Sequence, residues 1–207
     1  MKKAMTITYE VGDNLYINIT NKCPCACTFC IRNNADGAYG SDPLWLEHEP
    51  SVNEIMNDIC KRDLSKYNEI VFCGYGEPTC RLDTMLSVIR LIRGGAFDMP
   101  VKIRLNTNGL SDLINERSTA GELSRAFDTI SISLNAPDKE KYMAVTRPKF
   151  PDAFESLKKF TSDCVNSRQK VKVVMSVVDV IPPEEIEASR KLAESLGAEL
   201  RVRSYDS

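Results

Sequence analysis

Residues 15–30 read LYINITNKCPCACTFC. Leu15, Ile17 and Ile19 alternate with Tyr16, Asn18 and Thr20, the period-two pattern of a strand with one apolar and one polar face. Directly after it come Cys23, Cys25, Cys27 and Cys30, four of the chain's eight cysteines. Cys23, Cys27 and Cys30 have the spacing Cys-x3-Cys-x2-Cys. Three thiolates at a strand end can bind three corners of a [4Fe-4S] cube and leave the fourth iron open, whereas electron-transfer clusters usually take four cysteines. The same residues also suit a structural zinc site, completed by Cys25, His48 or a distant cysteine.

Composition narrows the setting. The chain has 207 residues, 43% apolar and 27% charged, with net charge -2. These values exclude a disordered tail, a fibre or a membrane bundle. No basic excess demands a nucleic-acid partner. A secreted disulfide scaffold would be shorter and denser in cysteine. The opening MKKAMTITYE has no apolar h-region, and no run approaches the length of a membrane span. The expectation is a cytoplasmic protein without a membrane partner, its cysteine cluster holding metal.

Outward from the cysteines, strand-like and helix-like runs alternate. MTITYE and LYINIT around Gly12-Asp13-Asn14 read as a hairpin. Ser51-Val52-Asn53-Glu54 is a capping-box signature opening a helix with Ile55, Met56, Ile59 and Cys60 in phase. Further strands are read at Glu69–Cys73, Val101–Asn106, Thr129–Asn135, Val171–Val178 and Glu199–Tyr205. Between them, helices are expected ending at Gly94, over about Ser111–Phe127, from Pro151, and from Pro183 to Gly197. Strands separated by helices imply right-handed βαβ units in one α/β domain, residues 1–207, with mostly parallel strands and a short N-terminal hairpin. They could close as an open sheet or an incomplete barrel. Ser131, Ser133 and Asn135, like Arg104 and Asn106, put a polar face on strands whose other face is apolar. Either that face is solvated, or it lines a barrel whose C-terminal mouth holds a polar ligand.

A second motif, Phe72-Cys73-Gly74-Tyr75-Gly76-Glu77-Pro78-Thr79, follows the second main strand. Its glycines allow close approach of a backbone to a ligand, and Glu77 can anchor either the turn or a ligand ammonium. A tight turn closed by glycine and proline is the plainer reading.

Taken together, the Cys-x3-Cys-x2-Cys after strand one, Gly76-Glu77-Pro78 after strand two, Asn106-Thr107-Asn108-Gly109 and Ser133-Leu134-Asn135 resemble the radical SAM superfamily. NLYINITNKCPCACTFCIRN and FCGYGEPT look most like its short TatD-associated proteins. The resemblance implies an incomplete (β/α)6 barrel. It implies a [4Fe-4S] cluster on Cys23, Cys27 and Cys30, and bound S-adenosylmethionine (SAM). Phe29 would contact the adenine through its backbone, and Tyr75-Gly76-Glu77 would receive the methionine amine. Tyr75 departs from the family there, standing where a first glycine is usual. Asn106, Ser133 and Asn135 would hold the ribose and methionine carboxylate. Asp179–Pro183 replaces the family's glycine-rich element, so no contact is assigned there. The implied activity is reductive SAM cleavage to a 5′-deoxyadenosyl radical that takes hydrogen from a substrate. The implied electron donor is a low-potential flavodoxin or ferredoxin. The substrate is a small molecule or a protein or peptide. A non-catalytic zinc or electron-transfer module is the alternative.

Other residues receive plainer expectations. Cys25 is read as a free or packed thiol, Cys73 and Cys80 as small buried side chains, and Cys60 and Cys164 as core. His48 is expected at the surface, and Tyr39 and Trp45 in the long stretch Ile31–Pro50 are candidates for a lid. Arg104 could meet a carboxylate or phosphate ligand, or form a salt bridge to Glu77.

Overall fold

The computed structural model of the chain describes residues 2–97 and 101–205. The chain forms two compact units, Met1–Cys23 with Ile31–Leu105, and Pro24–Cys30 with Asn106–Ser207.

In the first unit, β1 (Lys3–Ala4) pairs in parallel with β4 (Trp45–Leu46). The hairpin is β2 (Thr8–Val11) and β3 (Asn14–Ile17), antiparallel, with Thr8 opposite Ile17. Then come α1 (Val52–Ile59), β5 (Glu69–Phe72), α2 (Leu82–Leu91) and β6 (Lys102–Thr107), whose last residues fall in the second unit. Strands β3, β5 and β6 are parallel, with Leu15, Ile70 and Ile103 in one row and Ile17, Phe72 and Leu105 in the next. All six side chains are fully buried. The row between them, Tyr16, Val71 and Arg104, faces the other way. Helices α1 and α2 add Ile55, Ile59, Met85, Val88 and Ile89 to the core. Each such burial is worth about 2 kcal/mol.

The second unit contains α3 (Ser111–Asn115), α4 (Ala120–Ala126), β7 (Thr129–Ser133), α5 (Lys139–Thr146), α6 (Ala153–Val165), β8 (Lys172–Val178), α7 (Pro183–Ser195) and β9 (Glu199–Arg203). Strands β7, β8 and β9 are parallel, with Ile132 opposite Met175 and Ser176 opposite Arg201. Gly109, at φ 77°, lets the turn after β6 lie on the apolar face: a Cβ there would stand 2.8 Å from Ile132 Cγ2.

The expected hairpin and parallel strands are present, with local corrections. Helix α5 was not expected, because its KEKYMAVT sequence buries only Tyr142 and Thr146 and has no broad apolar stripe. The span expected as one helix after Ser111 divides at Glu116, which is left-handed at φ 53°. Gly95 rather than Gly94 takes the positive φ after α2, following a π-turn. Cys60 is exposed at the end of α1, not core, while Cys164 is buried as expected. Among the described residues no helix is long and apolar enough to cross a membrane.

The capping box is complete: Glu54 N–H donates to Ser51 Oγ at 3.3 Å, and Ser51 N–H donates to Glu54 Oε2 at 2.8 Å. These bonds, the backbone one first, then that from the Ser51 hydroxyl, with help from His48, hold the Glu54 carboxyl at about 2. Ser51→Ala should destabilise the protein by about 1 kcal/mol. A carboxyl held low stabilises above its ordinary 4.5 and loses that contribution as pH falls toward about 2. Denaturant titrations of the two proteins should therefore differ constantly above about pH 5 and draw closer as the solution is acidified, the remaining difference being the cap bond from Glu54 N–H to Ser51 Oγ.

Candidate functional site

In the first unit the chain leaves β3 through Thr20, Asn21 and Lys22 to reach Cys23. The Gly-Tyr-Gly-Glu-Pro loop after β5 lies on this exit. Glu77 N–H donates to the Lys22 carbonyl at 2.8 Å. A Cβ on Gly76 would stand 2.3 Å from the Thr20 carbonyl oxygen and 2.7 Å from that of Lys22, so only glycine fits. A Cβ on Gly74 would strike Asn18 Oδ1 at 2.1 Å. Glu77 is buried, and its Oε1 accepts from Thr79 N–H at 3.1 Å and Thr79 Oγ1 at 2.8 Å, capping the short 3₁₀ turn Pro78–Arg81. Of the two roles open to Glu77, the structure displays the turn-anchoring one.

Tyr75 has a structural reason to replace glycine. It is buried, and its hydroxyl lies 2.8 Å from the carbonyls of both Ala35 and Gly37, donating to one at a time. Its ring meets Trp45 edge-on at 5.2 Å, and the Arg32 guanidinium lies 6.0 Å from the Trp45 ring centre. Tyr75 therefore ties the long Ile31–Pro50 stretch to the Gly-Glu-Pro loop. Of the two lid candidates, Trp45 is fixed in β4 and Tyr39 is exposed at φ 54°.

At the same strand end Thr20, read from the sequence only as part of the strand's polar face, meets two residues that the sequence did not single out, Glu49 and Arg81. Thr20 Oγ1 donates to Glu49 Oε1 at 2.7 Å, and Arg81 reaches the Ile19 and Pro50 carbonyls at 3.3 Å. Arg81 also pairs with Glu49 at 3.7 Å. Only the fold reveals this grouping, since Glu49 and Arg81 belong to no motif. Burial, then the charge of Glu77, pushes the Cys80 thiol up to about 12, but Cys73 and Cys80 are half-buried rather than buried as expected. Arg104 pairs with Glu69 at 2.8 Å rather than with Glu77, its diagonal neighbour across β5 and β6. His48 is exposed and meets Glu54 at 2.8 Å, a surface role.

In the second unit, Pro24–Cys30 is docked as an extended segment on the end of α5. Ala26 N–H donates to the Thr146 carbonyl at 3.1 Å and Thr28 N–H to that of Val145 at 2.9 Å. Lys149 N–H donates to the Pro24 carbonyl at 2.9 Å, and Cys25 bridges Pro148. Asn108 Nδ2 donates to Cys25 Sγ at 3.6 Å, and Cys25 is buried. Cys27, Phe29 and Cys30 are half-buried. The dock also shows what α5 is for. The signal that could have found this helix is Asp138, whose carboxylate caps Lys141 N–H at 2.9 Å.

Asn106 and Ser133 lie on the sheet, whereas β7 stops at Ser133 and the strand expected through Asn135 does not reach it. Asn106 and Ser133 are half-buried at the ends of β6 and β7. Asn135 is buried at φ 65°, its N–H bonded to the Ser176 carbonyl at 3.2 Å, and its Oδ1 is buried without a hydrogen-bond partner. A buried amide oxygen without a donor invites one from a ligand.

No disulfide joins any of the eight cysteines. Among the described residues no three His, Cys, Asp or Glu side chains gather in the arrangement that holds a metal ion. In a cube each thiolate would take its own iron. Within the second unit, the half-buried reduced thiols of Cys27 and Cys30 suit metal ligation, and the orphaned Asn135 oxygen suits a ligand rich in donors.

The model of the Radical SAM superfamily matches residues 17–193. The chain belongs to the radical SAM superfamily. Its members use a [4Fe-4S] cluster and SAM, and they need a reductant. Among curated relatives, the dual-specificity RNA methyltransferase RlmN of Syntrophobacter fumaroxidans is 30% identical over 126 residues, covering 57% of this chain and 32% of that protein. GTP 3',8-cyclase of Corynebacterium glutamicum is 28% identical over 146 residues, covering 67% and 35%. The chain thus matches about a third of the length of these relatives. Among solved structures, native anSMEcpe with bound AdoMet matches with TM-score 0.65 at 20% identity, over 93% of this chain and 51% of that one. The FeFe-hydrogenase maturase HydG from Carboxydothermus hydrogenoformans matches with TM-score 0.66 at 15% identity, over 94% and 44%. The fold is accordingly the mostly parallel α/β arrangement of the incomplete (β/α)6 radical SAM barrel.

Tyr75→Phe keeps the ring and removes the tether. Hydrogen exchange at the Leu44 and Ser41 amides, which close the loop onto the Asp36 and Ala38 carbonyls, should quicken by about three- to tenfold. Gly76→Ala sets a methyl against backbone that cannot yield. Its stability loss should exceed the ~1 kcal/mol typical of single substitutions, with faster exchange at the Glu77 amide.

Proposed function

We propose that this chain binds a [4Fe-4S] cluster through Cys23, Cys27 and Cys30 and uses it to cleave SAM reductively. The bound group would supply one-electron scission of the sulfonium carbon–sulfur bond, giving methionine and a 5′-deoxyadenosyl radical that takes hydrogen from a substrate. The observation that carries this reading is the treatment of the four clustered cysteines. Cys25 is buried against Asn108, and the three with family spacing stay half-buried.

The protein's part is orientation and exclusion of water. The docked Pro24–Cys30 segment would hold Cys27 and Cys30 on a rigid helix end, and Phe29 would offer its backbone to the adenine. The loop after β5 would offer a backbone carbonyl to the methionine amine, with Gly76 letting it seat against the Thr20 and Lys22 carbonyls and Tyr75 and Glu77 bracing it. Asn135 Oδ1 would accept from the bound cofactor, with Ser133 and Asn106 beside it. A low-potential flavodoxin or ferredoxin is the electron donor this chemistry calls for. Eight reduced cysteines suit the cytoplasm. The stretches Asn14–Asn33 and Phe72–Thr79 support a place among the short TatD-associated members.

The test is anaerobic reconstitution followed by metal analysis and a SAM-cleavage assay. About four irons per chain and 5′-deoxyadenosine under reducing conditions are expected. Cys27→Ala should lose the cluster, whereas Cys25→Ala should keep it. About one zinc per chain in colourless protein, or iron without SAM cleavage, would make this a non-catalytic metal module instead.

A further inference from the structure

The sheet of the second unit has two unlike faces. Ile132 and Met175 lie on the face that packs against Gly109 and Leu157. The other face carries Ser133, Ser176 and Arg201 in one row across β7, β8 and β9, then Val178 opposite Arg203. Arg201 Nη2 reaches Ser131 Oγ at 3.3 Å, which fixes it on that face. Arg203 is the last residue of β9, as Val178 and Ser133 are of β8 and β7. It therefore stands at the carboxyl edge, where α/β sheets take their ligands.

Arg203 Nε is buried and has no hydrogen-bond partner. A buried guanidinium N–H without an acceptor is unfavourable, and nearby carboxylates do not serve it. Asp179 Oδ1 accepts from Tyr205 N–H at 2.8 Å, and Glu199, at the start of β9, pairs with Lys172 at 2.8 Å. A planar guanidinium fork is matched best by carboxylate or phosphate.

We propose that Arg203, flanked by Arg201, binds an oxyanion of the substrate, a carboxylate or a phosphate. The substrate role rests on the radical SAM reading, because Ser133 and Asn135 at the same edge are the cofactor candidates. The anion site itself does not depend on that reading.

Calorimetric titration of the full chain, with and without reconstituted cluster, uses sodium pyrophosphate and sodium succinate as probes and sodium chloride as control. Saturable binding of one probe is expected, weakened at least tenfold in Arg203→Gln and partly restored in Arg203→Lys. The 15N resonance of Arg203 Nε should shift along the same titration in the unaltered protein, so misfolding of a variant cannot mimic the result. Pyrophosphate binding assigns a phosphate-bearing substrate, and succinate binding a carboxylate. Absence of saturable binding by either probe, or equal binding by Arg203→Gln, overturns the proposal. So does a parallel loss of SAM affinity in Arg203→Gln, which would assign Arg203 to the cofactor. Anion binding in protein that never cleaves SAM would leave the site standing and sink the enzymatic reading.

Discussion

The hydrogen bond from Glu77 N–H to the Lys22 carbonyl is the constraint on which the loop after β5 depends. It joins the loop after one parallel strand to the residue just before the first cluster cysteine. The bond can form only because Gly76 has no side chain to hold the two backbones apart. Glu77 then folds its carboxylate back onto Thr79, which braces the turn from within. Such preorganisation lowers the ordering cost that a cofactor would otherwise meet on binding. Tyr75 extends the constraint outward through the Ala35 and Gly37 carbonyls. The departure from the family's glycine is thus a gain of structure: the loop proposed to receive the methionine amine also tethers the longest connection in its unit.

The second unit solves a different problem. A cysteine segment has to present sulfur to a metal while its own backbone groups stay satisfied. Docking Pro24–Cys30 on the end of α5 as an added strand-like edge does this through main-chain bonds. Arg147, left-handed at φ 48°, ends α5 and turns the chain along the segment. The sheet of β7, β8 and β9 carries its polar residues on one face. Asn135 Oδ1 and Arg203 Nε are an acceptor and a donor, both buried and both unmatched.

Much of this could be read from residue order, for identifiable reasons. The hairpin, the capping box at Ser51 and the parallel strands are local patterns, decided by side-chain period and turn chemistry within a few residues. The cysteine spacing and Gly76-Glu77-Pro78 were legible because metal ligation and close backbone approach each admit few residue types. What escaped depends on distant partners. Helix α5 lacks an apolar stripe because its main service is to carry the cysteine segment, so periodicity missed it. Arg104 was paired with the wrong glutamate because Glu69 becomes its diagonal neighbour only once β5 and β6 are in register. Thr20, Glu49 and Arg81 converge from three separate stretches. Cys60 follows the helical phase of α1 yet lies beyond its last turn, where burial stops.

Membership of the radical SAM superfamily and a match to about a third of the curated relatives' length together direct attention to the core chemistry. The central claim is that three of the four clustered cysteines bind metal and one corner of the cube stays open to SAM. Mössbauer spectroscopy of anaerobically prepared, 57Fe-enriched protein tests it most directly. The account predicts that adding SAM changes the isomer shift of one iron in four. Four irons that remain indistinguishable with and without SAM would contradict it.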